Sequence, residues 1–375
     1  MRQRALAAAL VCCALGWSWQ WLTVHYNYGG NWTALFCHGS QIPLPAALSG
    51  EQIYVFANSG GYDGQSYHYV AHDPLGRGEV GRAVPDPALR FPRILVPGMA
   101  HLMALGHSDR VDAAFVACNL FFLGLGAWWL AHLLERRGMR AWFAVGYVVA
   151  PVAIISLDRM LVDLALTSLA LGFAWYLEEE SWRLWMVMAA APLCRETGLL
   201  LIPAYLLRLL WQKRFGRMAV FATALIPAVA WTIWVRASIP GAAALGPSIL
   251  YPLYGLWQSI LHPRPYEFPA VLVAAIVGLW WVQLAGIVLG FGMAFRRGIG
   301  LDAMRNACFL WACFAISLPP GVYDDPFAGA RVLGPMLLFL GLRGGWGWVP
   351  LAMASPRVWL ELGAQAWGIV RGLAG

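Results

Sequence analysis

The chain has 375 residues, of which 60% are hydrophobic and only 12% are charged, and its mean hydropathy is +0.61. Soluble domains carry about 25% charged residues, so this composition excludes water-soluble domains and predicts one membrane domain over residues 1–375. The net charge of +7 comes almost entirely from arginines in short clusters between apolar runs, which indicates membrane topology and not nucleic-acid binding. The seven cysteines have no CxxC spacing and predict neither a disulfide framework nor a cysteine zinc site.

The apolar runs predict an all-α, polytopic bundle of about ten transmembrane helices. The first run follows two arginines and lacks a small-residue cleavage site, so we expect an uncleaved signal anchor. The runs cover residues 5–24, 111–134, 141–157, 162–177, 184–193, 198–211, 218–235, 270–295, 307–318 and 332–342. Two of them, 184–193 and 198–211, are too short to span upright and are expected to meet as half-buried helices at Arg195 and Glu196.

Basic residues mark the cytoplasmic ends of membrane helices, and alternating helices place all the basic clusters on one side. This pattern predicts a multi-pass protein of the bacterial inner membrane with a cytoplasmic N-terminus. Residues 25–110, 236–269 and 319–331 then lie outside. A short apolar stretch at 93–105 predicts an interfacial or re-entrant helix, and the tail from 356 is expected to lie on the membrane surface.

The first outer loop is some 85 residues long, and loops of that length are usually functional. Its centre places Asp63 between glycines, which permit unusual backbone shapes and let a bulky substrate approach. The aromatic and apolar residues that follow predict a short interfacial helix, with Asp63 at or near its N-terminus. The structural alternative is that Asp63 only caps this helix.

Arg90 and Arg93 lie one helical turn apart in the same loop, on the wrong side of the membrane for a topology signal. An anionic ligand at the headgroup level would explain them, because guanidinium groups match phosphate oxygens. The alternative is a loop salt bridge to Asp73, Glu79 or Asp86.

Further ionisable residues occur at predicted outer helix ends, where charge is costly and therefore a functional candidate. They are Asp158, Arg159, Asp163, Arg195, Glu196, Asp324, Asp325 and Arg331. Mutual neutralisation, with Arg195 bound to Glu196 or Asp163, is the structural alternative. Asp324 and Asp325 are weak metal candidates, so a divalent cation stays open as a cofactor.

His68 and His72 have i, i+4 spacing and could share one helix face, but the sequence offers no third metal ligand beside them. No Walker loop, GxSxG or HExxH motif is present.

Several of these segments resemble bacterial membrane proteins of the GT-C glycosyltransferase superfamily. The resemblance rests on Gly61-Tyr62-Asp63-Gly64-Gln65, Ala71-His72-Asp73-Pro74, Arg90-Phe91-Pro92-Arg93-Ile94-Leu95-Val96-Pro97, Arg195-Glu196-Thr197-Gly198-Leu199-Leu200 and Arg331-Val332-Leu333-Gly334-Pro335. It spans most of the chain, and the first block is the most distinctive.

The resemblance implies a bundle of transmembrane helices whose first outer loop carries interfacial helices and an essential acidic residue, by position Asp63. It implies transfer of a sugar from a polyprenyl-phosphate donor to an unspecified glycan, lipid or protein acceptor at the outer face. The residues themselves support these roles, because a carboxylate can deprotonate an acceptor hydroxyl and arginines can stabilise a departing phosphate. The candidate substrate- or phosphate-binding residues are Arg90, Arg93, Arg195, Arg331, Gln65, Tyr62 and His68, and the candidate supporting acids are Asp158, Asp163 and Glu196.

Two other functions stay open. A transporter or flippase for a lipid-linked or anionic substrate would use the same arginines without chemistry, although no internal repeat is visible. A non-catalytic partner in envelope assembly would use the loop as a docking surface.

Overall fold

The computed structural model describes residues 2–243 and 251–374, and within these ranges helices form nearly all of the regular structure. The α-helices are α1 (Arg2–Tyr28), α2 (Asp63–His72), α3 (Glu79–Arg82), α4 (Pro87–Arg90), α5 (Leu95–Met103), α6 (Val111–Glu135), α7 (Pro151–Asp158), α8 (Asp163–Tyr176), α9 (Trp182–Cys194), α10 (Leu201–Trp211), α11 (Phe215–Ala222), α12 (Ile226–Ser238), α13 (Tyr254–Leu261), α14 (Ala270–Arg297), α15 (Ala303–Ala315), α16 (Gly321–Asp324), α17 (Ala328–Val332), α18 (Gly334–Leu342), α19 (Val349–Glu361) and α20 (Gly363–Ala374). The all-α prediction is confirmed.

Short 3₁₀ segments and one small strand pair complete the described structure. The 3₁₀ segments are Trp32–Phe36, Ala46–Leu48, Ser108–Arg110, Ala141–Val149, Glu196–Leu200, Thr223–Leu225 and Gly345–Trp348. The strands β1 (His38–Gly39) and β2 (Val55–Phe56) are parallel and lie between α1 and α2.

Four helical segments in the described residues are long and apolar enough to cross a membrane, which identifies a membrane protein. They are Arg2–Tyr28, Ser108–Glu135, Phe215–Ser238 and Ala270–Arg297, and a fifth is counted if Ala141–Val149 and α7 form one span bent by 49°. The predicted count of about ten is not confirmed. Several apolar runs form helices that are too short to span upright, such as α8 with 14 residues and α15 with 13.

The helix α6 occupies the centre of the bundle, where it packs against α1, α5 and α8. One continuous hydrophobic cluster extends from α1 to α19. The segment between the first two spans, residues 29–107, carries α2 to α5. Its bounds differ from the predicted 25–110 by only a few residues, since α1 continues to Tyr28 and the next span begins at Ser108.

The tail from residue 356, which is predicted to lie on the membrane surface, packs in part against the bundle. Arg357 is 1% exposed, and its guanidinium donates hydrogen bonds to Gln283 Oε1, to the Tyr266 hydroxyl and to the Asp324 carbonyl. The helix α19 packs along α14, and Gln365 of α20 reaches Asp158. In α20, Trp367, Val370 and Leu373 are exposed, so the position of this helix relative to the membrane stays a prediction.

Charged groups gather at the two ends of the bundle. Arg4, Glu135 and Arg140 line one cleft at the end where α1 begins and α6 finishes. The candidate site residues lie at the other end, where α1 finishes and α6 begins. This separation agrees with the predicted split of basic clusters from site residues, while the cytoplasmic placement of the N-terminus stays a prediction.

Candidate functional site

The helix α2 begins at Asp63, as the sequence predicts, but Asp63 does not cap it. The N-cap residue is Tyr62, and no side chain caps the helix. Gly61 has φ +75°, a conformation that favours glycine. A Cβ atom on Gly64 would clash with the Arg159 carbonyl oxygen, so glycine allows α2 to approach the chain beyond α7. The backbone therefore presents the Asp63 side chain to the bundle and not to its own helix.

The Asp63 carboxylate binds two arginines from distant parts of the chain. Its Oδ1 accepts from Arg90 Nη2 at 2.8 Å, and its Oδ2 accepts from Arg331 Nη1 at 3.0 Å. The arginine side chains are 12% and 6% exposed, and that of Asp63 is 22% exposed. Burial opposes ionisation, but Arg331, Arg90 and Arg93 outweigh it and hold the pKa of Asp63 well below its usual range.

Arg331 extends this contact into a buried chain of charges. Its Nη1 also donates to Asp163 Oδ2 at 3.3 Å, and Asp163 in turn binds Arg195. Arg195 Nε lies 3.4 Å from Glu196 Oε1. The break between α9 and the 3₁₀ turn Glu196–Leu200 brings both of these residues into the site.

Arg93 closes the network from the outer loop. It donates to both Glu196 carboxylate oxygens at 2.9 Å, and to the Tyr67 hydroxyl at 2.7 Å. Burial opposes ionisation of Glu196, but Arg93 and Arg195 outweigh it and lower its pKa to about 2. We call the seven residues Asp63, Arg90, Arg93, Asp163, Arg195, Glu196 and Arg331 the charge network. Its four arginines exceed its three carboxylates by one positive charge.

Two of the alternative partners of the loop arginines, Asp73 and Glu79, have other contacts. The Asp73 carboxylate accepts from backbone N–H groups of the loop that follows α2, including that of Gly78 at 2.6 Å. Glu79 accepts from the Ala46 N–H. The mutual neutralisation that the sequence offers as the alternative for Arg195 is present, because Arg195 binds both Asp163 and Glu196. These contacts belong to the same network as Asp63.

A polar cleft of about 470 Å³ lies beside the charge network. Its lining residues are Gly61, Tyr62, Arg159, Arg264, Pro265, Tyr266, Glu267, Phe268, Asp325, Pro326, Phe327 and Glu361. Tyr62 links cleft and network, because the Arg331 guanidinium lies 5.4 Å from its ring centroid. Asp158 is next to the cleft residue Arg159 but does not line the cleft itself. Its carboxylate accepts hydrogen bonds from Trp19 and Gln365 and lies 3.9 Å from Arg159 Nε.

The remaining predicted residues lie elsewhere. Gln65 joins α2 to β1, because its Oε1 accepts a hydrogen bond from the Gly39 N–H at 3.1 Å. His68 lies on another face of α2, against His38, His72 and Asp112.

Asp324 and Asp325 diverge and do not form a joint metal site in the described part of the chain. Asp325 Oδ2 faces the Tyr62 hydroxyl at 3.5 Å, and its Oδ1 accepts from the Phe327 N–H. Asp324 lines a different, smaller pocket beside Arg357.

Sequence reasoning did not assign site roles to Arg159, Arg264 and Glu361. Arg159 was visible beside Asp158, and its guanidinium lies 4.1 Å from the ring centroid of Phe327 in the cleft wall. Arg264 and Glu361 gave no local signal, since they reach the cleft from an outer segment and from the C-terminal tail.

The arrangement can bind an anion at this end of the bundle. Arg90 Nε and Arg331 Nε are buried donors that have no acceptor among the described residues. Donors of this kind match phosphate oxygens, and the excess positive charge favours an anionic ligand. No protein-family model, no curated protein and no solved structure matches this chain.

Proposed function

We propose that this chain is an integral membrane glycosyltransferase that moves a sugar from a polyprenyl-phosphate donor to an acceptor at the membrane surface. The observation that carries the proposal is the Asp63 carboxylate, held between Arg90 and Arg331 at the start of a loop helix and beside a polar cleft. The order of the motifs that resemble GT-C enzymes supports the same assignment.

The reaction needs a base at the acceptor and positive charge at the leaving group. The acceptor oxygen forms a bond to the anomeric carbon while the bond from that carbon to the phosphate oxygen breaks. The electron pair of the broken bond leaves with the polyprenyl phosphate, and the acceptor proton goes to the base. Asp63 is the base in this proposal, and Arg90 and Arg331 stabilise the phosphate as its charge develops.

The ion pairs of Asp63 suggest that donor binding controls how basic its carboxylate is. A carboxylate whose pKa is held low by two arginines is a weak base. A donor phosphate that draws Arg90 and Arg331 toward itself would weaken their contact with Asp63 and raise its pKa. Donor binding would therefore activate the base.

Other arginines of the network would hold the phosphate in place and leave Asp63 free to move. Arg93 and Arg195 are fixed by Glu196 and Asp163, so their charge stays near the site when Arg331 shifts. Fixed charges of this kind cost no reorganisation during the reaction.

The surroundings offer space for both substrates. The cleft of about 470 Å³ lies within the usual range of about 300–1,000 Å³ for small-ligand pockets, which suits a sugar. Exposed apolar side chains on and after α5, such as Leu102 at 72% and Leu105 at 76%, lie in the same outer loop and suit a polyprenyl tail.

Mass spectrometry of polyprenyl-phosphate sugars tests the proposal whichever sugar is transferred. Membranes from cells carrying the intact protein would be compared with membranes carrying Asp63→Asn, at matched folded amounts. Asp109→Asn is the matched control, because Asp109 is an exposed carboxylate at the same end of the bundle. We expect one glycolipid to accumulate with Asp63→Asn alone.

Identical lipid profiles for the intact protein and both variants would refute the transferase proposal. An unchanged total amount of glycolipid with a changed distribution between the two leaflets would refute it too, and would favour a flippase.

A further inference from the structure

A second cluster of polar side chains lies on the side of α2 that faces away from the charge network. His68 and His72 are five and nine residues beyond Asp63, which places them roughly 140° and 180° around the helix axis from it. Glu51, in the loop before β2, faces the same two imidazoles. One potential ligand atom from each of Glu51, His68 and His72 lies within 4.8 Å of the others.

The distances in this cluster resemble the edges of a coordination tetrahedron. His68 Nε2 and His72 Nε2 are 3.0 Å apart, and His72 Nε2 lies 3.7 Å from Glu51 Oε2. A tetrahedral site with Zn–N bonds of about 2.0–2.1 Å separates its ligand atoms by roughly 3.3–3.4 Å. The two separations that involve His72 are therefore within about 0.4 Å of the tetrahedral value, and the third ligand atom lies within 4.8 Å of the others.

The remote nitrogen of each imidazole already has a hydrogen-bonding neighbour. His68 Nδ1 lies 3.0 Å from His38 Nε2, and His72 Nδ1 lies 3.0 Å from the Ser108 hydroxyl. The Ser108 hydroxyl in turn donates to Glu51 Oε1. Hydrogen bonds of this kind fix the tautomer and ring orientation of metal-binding histidines, and they leave both Nε2 atoms directed at the centre of the cluster.

We propose that Glu51, His68 and His72 bind a divalent transition-metal ion, with Zn²⁺ the best match to two imidazoles and one carboxylate. Asp112 is the nearest candidate for the fourth position, since its Oδ1 lies 2.8 Å from His68 Nε2.

The ion would join three parts of the outer end of the bundle, namely the loop before β2, the helix α2 and the start of α6. Because α2 carries Asp63 at its first position, the ion would fix the position of α2 and thereby the position of Asp63 in the charge network. The role is positional, and the proposal goes beyond the glycosyltransferase assignment and does not rest on it.

Metal content of the purified, tag-free protein in detergent tests the site. We expect about one zinc ion per chain by elemental mass spectrometry, and visible absorption by Co²⁺ added after chelation. The variants His72→Gln and Glu51→Gln should lower zinc affinity by at least about tenfold. Glu51 is partly exposed, so its variant tests the site even where loss of a buried histidine prevents folding.

Two controls make the result specific. His107→Gln alters an exposed histidine at the same end of the bundle and should keep full metal content. Asp63→Asn should also keep the metal, so that the two proposals can fail separately.

Zinc should raise the Tm of the chelated intact protein but not that of Glu51→Gln. Folded intact protein without metal, without Co²⁺ absorption and without a zinc-dependent Tm change would overturn the proposal. Equal zinc affinity in Glu51→Gln and intact protein would also overturn it.

Discussion

Replacing Arg331 by methionine should destabilise the protein more than replacing Asp63, because Arg331 serves two carboxylates. Its guanidinium is almost fully buried and binds Asp63 at 3.0 Å and Asp163 at 3.3 Å. For charges about 4 Å apart at an effective dielectric constant near 20, each pair is worth about 4 kcal/mol. Desolvation cancels part of this attraction when a pair forms, yet removing one partner leaves the other charge buried.

The expected cost of Arg331→Met is therefore about 3–5 kcal/mol in unfolding free energy. Asp63→Asn should cost less, since the Asp63 side chain is 22% exposed and the asparagine still accepts hydrogen bonds. The double variant should be more stable than the sum of the two effects predicts, because the single Arg331 variant leaves Asp63 with only one of its partners.

Thermal unfolding can be followed with a dye that fluoresces on reaction with thiols. The chain has free cysteines, most of them buried, which react only when the bundle opens. All four proteins of the cycle would be compared in one detergent at one scan rate. Additive Tm changes, or an Arg331→Met protein as stable as the intact one, would refute the description of the charge network as coupled.

Three further results follow from the structure. Gly64→Ala should destabilise the fold by about 1–3 kcal/mol, because its new methyl group would clash with a backbone carbonyl, whereas Gly60→Ala meets only ordinary contacts; a comparison of Tm values tests this. Arg357→Met should lower the Tm by removing a guanidinium with three acceptors, and the exposed Arg371 is the control. The Tm should fall as the pH drops from 4.5 to about 2, because Glu196 has a lower pKa in the folded protein than in the unfolded chain. Its stabilising contribution is complete above pH 4.5 and is lost as the pH falls through about 2. The Tm of Glu196→Gln should fall less steeply over the same range.

Local chemistry accounts for the parts of the site that the sequence predicts correctly. The start of α2 at Asp63 follows from a glycine-rich loop that precedes aromatic and apolar residues, and the break at Arg195 follows from two charges inside an apolar run. The set of charged residues at this end of the bundle was also readable, because charge is expensive in a membrane segment.

The partners of these charges were not readable. Asp63 and Arg331 are 268 positions apart, and only the packing of α17 against α7 and of α2 against α5 and α6 brings them to 3.0 Å. The same reason explains why Glu51 was missed as a third group beside His68 and His72. Its loop contributes nothing to the pattern of α2, and their contact depends on how the loop folds back.

The sequence by itself indicates a helical membrane protein, and it identifies the charged residues that are candidates for the site. It can do so because hydropathy and charge act locally along the chain. Only the tertiary structure decides the number of long spans, the burial of Arg357 in the C-terminal tail and the membership of each cluster. A helix must turn or break where its neighbours leave no room, and an ion pair forms where two remote segments meet. Both depend on packing between segments, which no local pattern contains.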